Sequence, residues 1–166
     1  TLTALSAAKA TTVTFAGDKV LTSGGETFTA ATSITSTNTG GVKLTTALGT
    51  GVSFTGGSGD DAVSLGATTK AITLGAGNDR VTSAGLVGTG GSVDAGAGTA
   101  DTIVMASAEA AVADNDATFN SKFTGFEVLE LSNALAAGAT LNLAGINNVS
   151  QVTLTAGGAN VATSII

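Results

Sequence analysis

A large apolar residue recurs every nine positions through the middle of this 166-residue chain: Phe54, Val63, Ile72 and Val81, with Leu65 and Leu74 keeping the same interval. Around them run short apolar-x-apolar triplets, Val13-Thr14-Phe15, Val42-Lys43-Leu44, Val52-Ser53-Phe54, Val63-Ser64-Leu65 and Ile72-Thr73-Leu74, separated by Gly, Ser and Asn. In a strand, residues i and i+2 share one face, so each triplet turns two apolar side chains inward. Three-residue strands make a poor sandwich but are the right length for the walls of a β-helix or β-roll. A fixed short period means stacked coils that share one narrow core. The expected fold is therefore all-β, a right-handed parallel β-helix in which two nonapeptides make one coil.

The beat is strict from Phe54 to Val81, and the Gly-rich coils built on it are expected to run over 54–105. Residues 1–53 read as Thr-rich N-terminal coils, with Gly-Gly pairs at 24–25, 40–41 and 56–57 giving a weaker sixteen-residue spacing. In 127–166 the pairs Leu129/Leu131, Leu141/Leu143 and Val152/Leu154, with Ile146 and Val149, read as further, looser coils. Between them, 106–126 breaks the pattern. Ser107 to Asp114 is rich in helix formers behind a Ser placed to cap it. Phe119, Phe123 and Phe126 follow, and are expected to plug an end or flank of the solenoid.

Composition excludes much chemistry. The chain has no His, Cys, Pro, Trp or Tyr, so a Ser-His-Asp triad, a thiol nucleophile, a disulfide and the usual zinc site are all ruled out. Twelve acids face six bases, a net charge of −6, without the basic footprint that nucleic acid requires. No run of about 20 apolar residues is present to span a membrane. The chain opens within a strand-like pattern at Thr1 and reads as a piece excised from a longer protein.

The motif that carries chemistry is Gly56-Gly57-Ser58-Gly59-Asp60-Asp61-Ala62-Val63-Ser64, which fits G-G-x-G-x-D-x-U-x, U being a large apolar residue. Gly75, Gly77, Asp79 and Val81 repeat it eighteen residues later, without the first Gly. Gly96, Gly98, Asp101 and Ile103 give a third copy with one residue inserted before the Asp, and Asp94 precedes that turn. Copies one coil apart stack directly, so Asp61 and Asp79 are expected to face each other at about 4.8 Å, the spacing of neighbouring strands. Glycine permits the positive φ that turns carbonyl oxygens into the same gap. Carboxylates and carbonyls together form an all-oxygen shell that suits Ca²⁺. Lys70 holds the Asp position on the opposite flank, and an ammonium cannot ligate a cation, so one good site and one or two partial ones are expected.

These stretches resemble RTX (repeats-in-toxin) repeats. Together with Leu65 to Ile72, Gly90 to Asp94 and Phe123 to Leu129, they are similar to the RTX-containing surface-layer (S-layer) proteins of Caulobacter-type bacteria. The resemblance implies an RTX-like β-roll, secretion to the cell surface and calcium-dependent self-assembly into a lattice. It also implies anchoring to cell-surface polysaccharide through regions outside this chain. A large RTX adhesin is the alternative source of such a module. Asp94, Asp101, Asp114 and Asp116 are expected in exposed loops able to share calcium between subunits.

Other constellations carry less. Glu127 and Glu130, three apart in a strand, point to opposite faces and read as solvated acids rather than an acid–base pair. β-Helical lyases need basic or aromatic side chains around the sugar, and with six bases and no His or Tyr the chain reads as non-catalytic. Rows such as Thr12/Thr14 and Thr35/Thr37 are irregularly spaced and are explained by the preference of Thr for exposed strands.

Overall fold

The computed structural model describes residues 1–136, 139–146, 149–155 and 164–165. Consecutive strands alternate between two parallel sheets, as the nine-residue beat requires. Sheet one stacks β1 (Thr12–Phe15), β3 (Ser33–Ser36), β5 (Ser53–Thr55), β7 (Ala71–Thr73), β9 (Ser92–Asp94) and β11 (Phe123–Thr124) in that order. Sheet two stacks β2 (Leu21–Ser23), β4 (Val42–Leu48), β6 (Ala62–Leu65), β8 (Arg80–Ser83), β10 (Thr102–Met105), β12 (Val128–Leu131) and β14 (Gln151–Leu154). This is a parallel β-helix or β-roll: each coil contributes one strand to each sheet.

Register sets the core. Phe54 lies opposite Ile72 and Val63 opposite Val81, the eighteen-residue coil read from the sequence. Elsewhere the coils are longer. Val13 pairs with Ile34, Val81 with Ile103 and Val93 with Phe123, so the sixteen-residue Gly-Gly spacing is not a coil length. Inward residues Ile34, Phe54, Ile72 and Val93 of sheet one, and Val63, Val81, Ile103 and Leu129 of sheet two, are all at most 2% exposed and form one contiguous core.

The extra length is stored in the turns. β4 carries a register shift between Lys43 and Ala47, and Glu26 clamps it, accepting from Thr45 N and Thr46 N while its own N–H donates to the Thr46 hydroxyl. Between β10 and β11 the chain makes α1 (Ser107–Ala113) and α2 (Ala117–Lys122). Ser107 is not the cap of α1. Ala106 holds that position and makes no side-chain cap bond; Asn133 Oδ1 instead accepts from Ser107 N at 2.7 Å. Asp116 caps α2, accepting from Thr118 N and Phe119 N, so a second helix follows the first in this insertion. Phe119 and Phe123 stack with ring centroids 4.2 Å apart, and with Phe126 they are buried in the shared core.

At the C-terminal end, β12 and β14 continue sheet two, with Leu129 opposite Val152. Leu141 does not join that sheet. It sits in β13 (Thr140–Leu141), which pairs with β15 (Ser164–Ile165), while Leu143 opens a 3₁₀ turn, Leu143–Gly145. Ile146 and Val149 are buried in the shared core; 137–138, 147–148, 156–163 and 166 of the predicted C-terminal coils lie outside the described residues.

Candidate metal centre

Every link from sheet one to sheet two lies on one flank, so the turns 37–41, 56–61, 74–79, 95–101 and 125–127 stack there. The three nonapeptide copies occupy the middle of this column. Lys70, exposed in the link between β6 and β7, lies on the opposite flank with α1 and α2.

The acids of the three copies form a single row. Asp61 Oδ1 accepts from Val42 N at 2.7 Å, Asp79 Oδ1 from Asp61 N at 2.7 Å, and Asp101 Oδ1 from Asp79 N at 2.6 Å. Each carboxylate thus reaches back one coil to the backbone of the residue it stacks upon. The residue inserted before Asp101 is absorbed without loss of register: Asn78 Oδ1 accepts from both Thr99 N and Ala100 N, and Thr102 still lies opposite Arg80.

Glycine is required where the turns touch. Gly75 and Gly96 have φ of 100° and 95°, a region L side chains avoid. A side-chain carbon at Gly75 would collide with the Gly57 carbonyl, and one at Gly96 with the Gly75 carbonyl. At Gly98 it would strike the Gly77 carbonyl oxygen and both oxygens of Asp101; at Gly77 it would press on Gly59 O at 2.9 Å. Two carbonyl oxygens lie beside the acid row: Gly77 O shares the space over Gly98 with Asp101, and Leu74 O shares the space over Gly56 with Asp61 Oδ2, while the Gly57 and Gly75 carbonyls accept from Ala76 N and Ala97 N.

This row is electrostatically costly. Asp61, Asp79 and Asp101 are at most 1% exposed. Burial pushes the Asp79 carboxyl up to about 7, aided by the charges of Asp61, Asp101 and Asp60. Burial also raises Asp61, with Asp60 adding to it, and raises Asp101, with Glu127, Asp60 and Asp94 adding to it. Neither Asp79 Oδ2 nor Asp101 Oδ2 has a hydrogen-bond partner, whereas Asp61 Oδ2 accepts from Gly57 N at 3.3 Å. A buried carboxylate oxygen without a partner carries its full desolvation penalty.

Compared with known proteins, the chain matches no family model and no curated protein.

The donor chemistry fits a hard cation. All donors beside the row are oxygen, and two of them are buried and unpartnered. Among the described residues, no three His, Cys, Asp or Glu side chains gather as a metal-holding group. A shell on this flank would draw on carboxylates and backbone carbonyls, a donor set that Ca²⁺ accepts and Zn²⁺ does not favour.

The remaining predicted acids divide. Asp94 stands outside the row, exposed at the end of β9, where its Oδ1 accepts from Gly96 N at 3.1 Å and the Thr124 hydroxyl at 3.3 Å. Asp101 and Asp114, expected in exposed loops, are buried. Asp114 Oδ2 accepts from Asn142 N, and Asp116 is engaged as the α2 cap. Glu127 and Glu130 do diverge, but neither is a free solvated acid. Glu130 makes a two-pronged ion pair with Arg80, both contacts 2.6 Å, across β10. Glu127 Oε2 accepts from Asp101 N at 2.9 Å and so takes the next place in the acid row. Its signal was present in the sequence: Glu127 stands two residues before the inward Leu129, as Asp61, Asp79 and Asp101 do before Val63, Val81 and Ile103.

Proposed function

We propose that this chain is a non-catalytic structural module of a secreted, calcium-dependent, self-assembling bacterial surface-layer protein. The observation that carries the calcium part is the row of buried carboxylates, Asp61, Asp79 and Asp101, with two oxygens that no protein group satisfies. Gly57, Gly59, Asp61, Gly75, Gly77, Asp79, Gly98 and Asp101 would hold the ions. Bound Ca²⁺ supplies the positive charge that offsets repulsion and desolvation along the row. The residues themselves do the positioning: Asp Oδ1 atoms lock each turn to the coil before it, and positive-φ glycines let the turns approach.

The self-assembly part rests on the resemblance to RTX surface-layer proteins and on charge. At a net −6, copies repel unless a cation intervenes, and Asp60 and Asp94, exposed on the acid flank, are the carboxylates placed to share one. A solenoid also offers a long flank for side-by-side packing. The test is light scattering and negative-stain electron microscopy of the protein through a calcium titration, reversed with chelator. Ordered sheets that appear with calcium and dissolve without it support the reading. A protein that gains calcium and stays monomeric at high concentration points instead to the RTX adhesin module.

A further inference from the structure

The nonapeptide pattern ends with the third copy, but the turn geometry does not. Gly125 has φ of 80°, and a side-chain carbon there would meet Gly96 N at 2.9 Å and Gly96 O at 3.3 Å. Gly125 therefore stacks on Gly96 as Gly96 stacks on Gly75. The register Thr102 opposite Val128 then puts Glu127 directly beyond Asp101 in the acid row. This fourth turn is short: one residue separates Gly125 from Glu127, against three between Gly75 and Asp79. The additional methylene of Glu compensates, and its Oε2 reaches Asp101 N just as each Asp reaches the coil before it.

Asp101 also lacks a counter-charge. It is 0% exposed, its Oδ2 has no partner, and the charges of Glu127, Asp60 and Asp94 all act on it. The bases nearest in the stack are committed or distant: Arg80 is paired with Glu130, and Lys70 lies on the opposite flank.

We infer that the cation-binding row runs one coil past the nonapeptides, with Glu127 as its last carboxylate, so that Asp101 and Glu127 together hold a divalent cation of the calcium class. The Gly77 carbonyl, which shares the space over Gly98 with both Asp101 oxygens, is the backbone oxygen placed to contribute. This inference rests on the calcium reading of the row, and it adds a ligand and a site that the repeat pattern does not contain.

Isothermal titration of the chain with CaCl₂, wild type against Glu127→Gln, tests it. Gln keeps an acceptor oxygen for Asp101 N but removes the charge. The expected result is one fewer bound calcium, or a loss of tenfold or more in affinity at one site, with the other sites unchanged. An isotherm identical to wild type overturns the inference and leaves Glu127 as a backbone acceptor only. A wild-type chain that binds no calcium overturns the underlying reading as well, so the two failures are distinct. Should Glu127→Gln not fold, the wild type labelled with ¹³C at the glutamate side-chain carboxyl gives a second readout. The sequence has four Glu, at 26, 109, 127 and 130. A calcium-dependent shift confined to one of the four, traced to Glu127 by its nuclear Overhauser contacts to Gly125–Val128, supports the site; no shift at Glu127 overturns it.

Discussion

Asp79 concentrates the opposing forces in this molecule. Its Oδ1 secures the Asp61 amide, while its Oδ2 is buried with no partner and its neighbours in the row are acids. Asp79→Asn should separate the two roles. Asn keeps an acceptor for Asp61 N and carries no charge, so the calcium-free protein should melt at a higher temperature at pH 8. Its calcium response should fall to a small fraction of wild type. Asp79→Ala should lose that response too, and leave the Asp61 amide buried without a partner, a cost of about 1–3 kcal/mol. Calorimetry of both variants with and without calcium checks the pair, and a wild-type calcium response in Asp79→Asn contradicts it.

The same residue sets a pH dependence. Its folded pKa, about 7, lies above that of an unfolded Asp near 3.9, so the native state binds the extra proton between those values. Stability of the calcium-free protein should therefore fall as pH rises from about 4 through 7 and level off above it. Calcium requires the ionised carboxylates, so its stabilising effect should grow over the same interval. Melting temperatures in chelator from pH 4.5 to 8.5 test the sign, and a calcium-free protein that is most stable at pH 8.5 contradicts it.

Among the elements, the strands were legible in the sequence wherever coil length was constant. Phe54, Val63, Ile72 and Val81 announce β5 to β8 because each strand and the turn after it together span nine residues: 53–61, 62–70 and 71–79. Val93 and Phe123, also partners in sheet one, are thirty residues apart because α1 and α2 are threaded into one link, and no period survives that. The acid row was legible at Asp61, Asp79 and Asp101, where Gly-x-Gly marks the turn. At Glu127 only its offset from the inward Leu129 marks the row, because the turn is truncated and the acid lengthened to match. The start of α1 is secured not by a side chain of its own but by Asn133, distant in sequence, which accepts from Ser107 N. Tertiary contacts of this kind leave no local trace. The insertion is nevertheless part of the core. Phe119→Ala should cost about 3–5 kcal/mol, as expected for a fully buried ring, and urea denaturation measures it. A loss below 1 kcal/mol would mean that α2 only decorates the solenoid. Lys70→Ala, on the opposite flank, should leave the calcium response unchanged; loss of the response there would mean that the ions lie on the other side of the coils.

For the molecule as a whole, the core is narrow and the acid flank works against it when no cation is present. The central claim is that this flank is completed by calcium. Differential scanning calorimetry in 10 mM CaCl₂, 10 mM MgCl₂ and chelator at pH 8 tests it most directly. Extracellular calcium modules bind with dissociation constants on the order of 10⁻⁴–10⁻³ M, and a tenfold excess over such a constant adds about 1.4 kcal/mol per site. The account predicts a melting temperature higher in calcium by several degrees, with magnesium giving little of that gain because it resists a carbonyl-rich, irregular shell. Melting curves that coincide in calcium and chelator would contradict it.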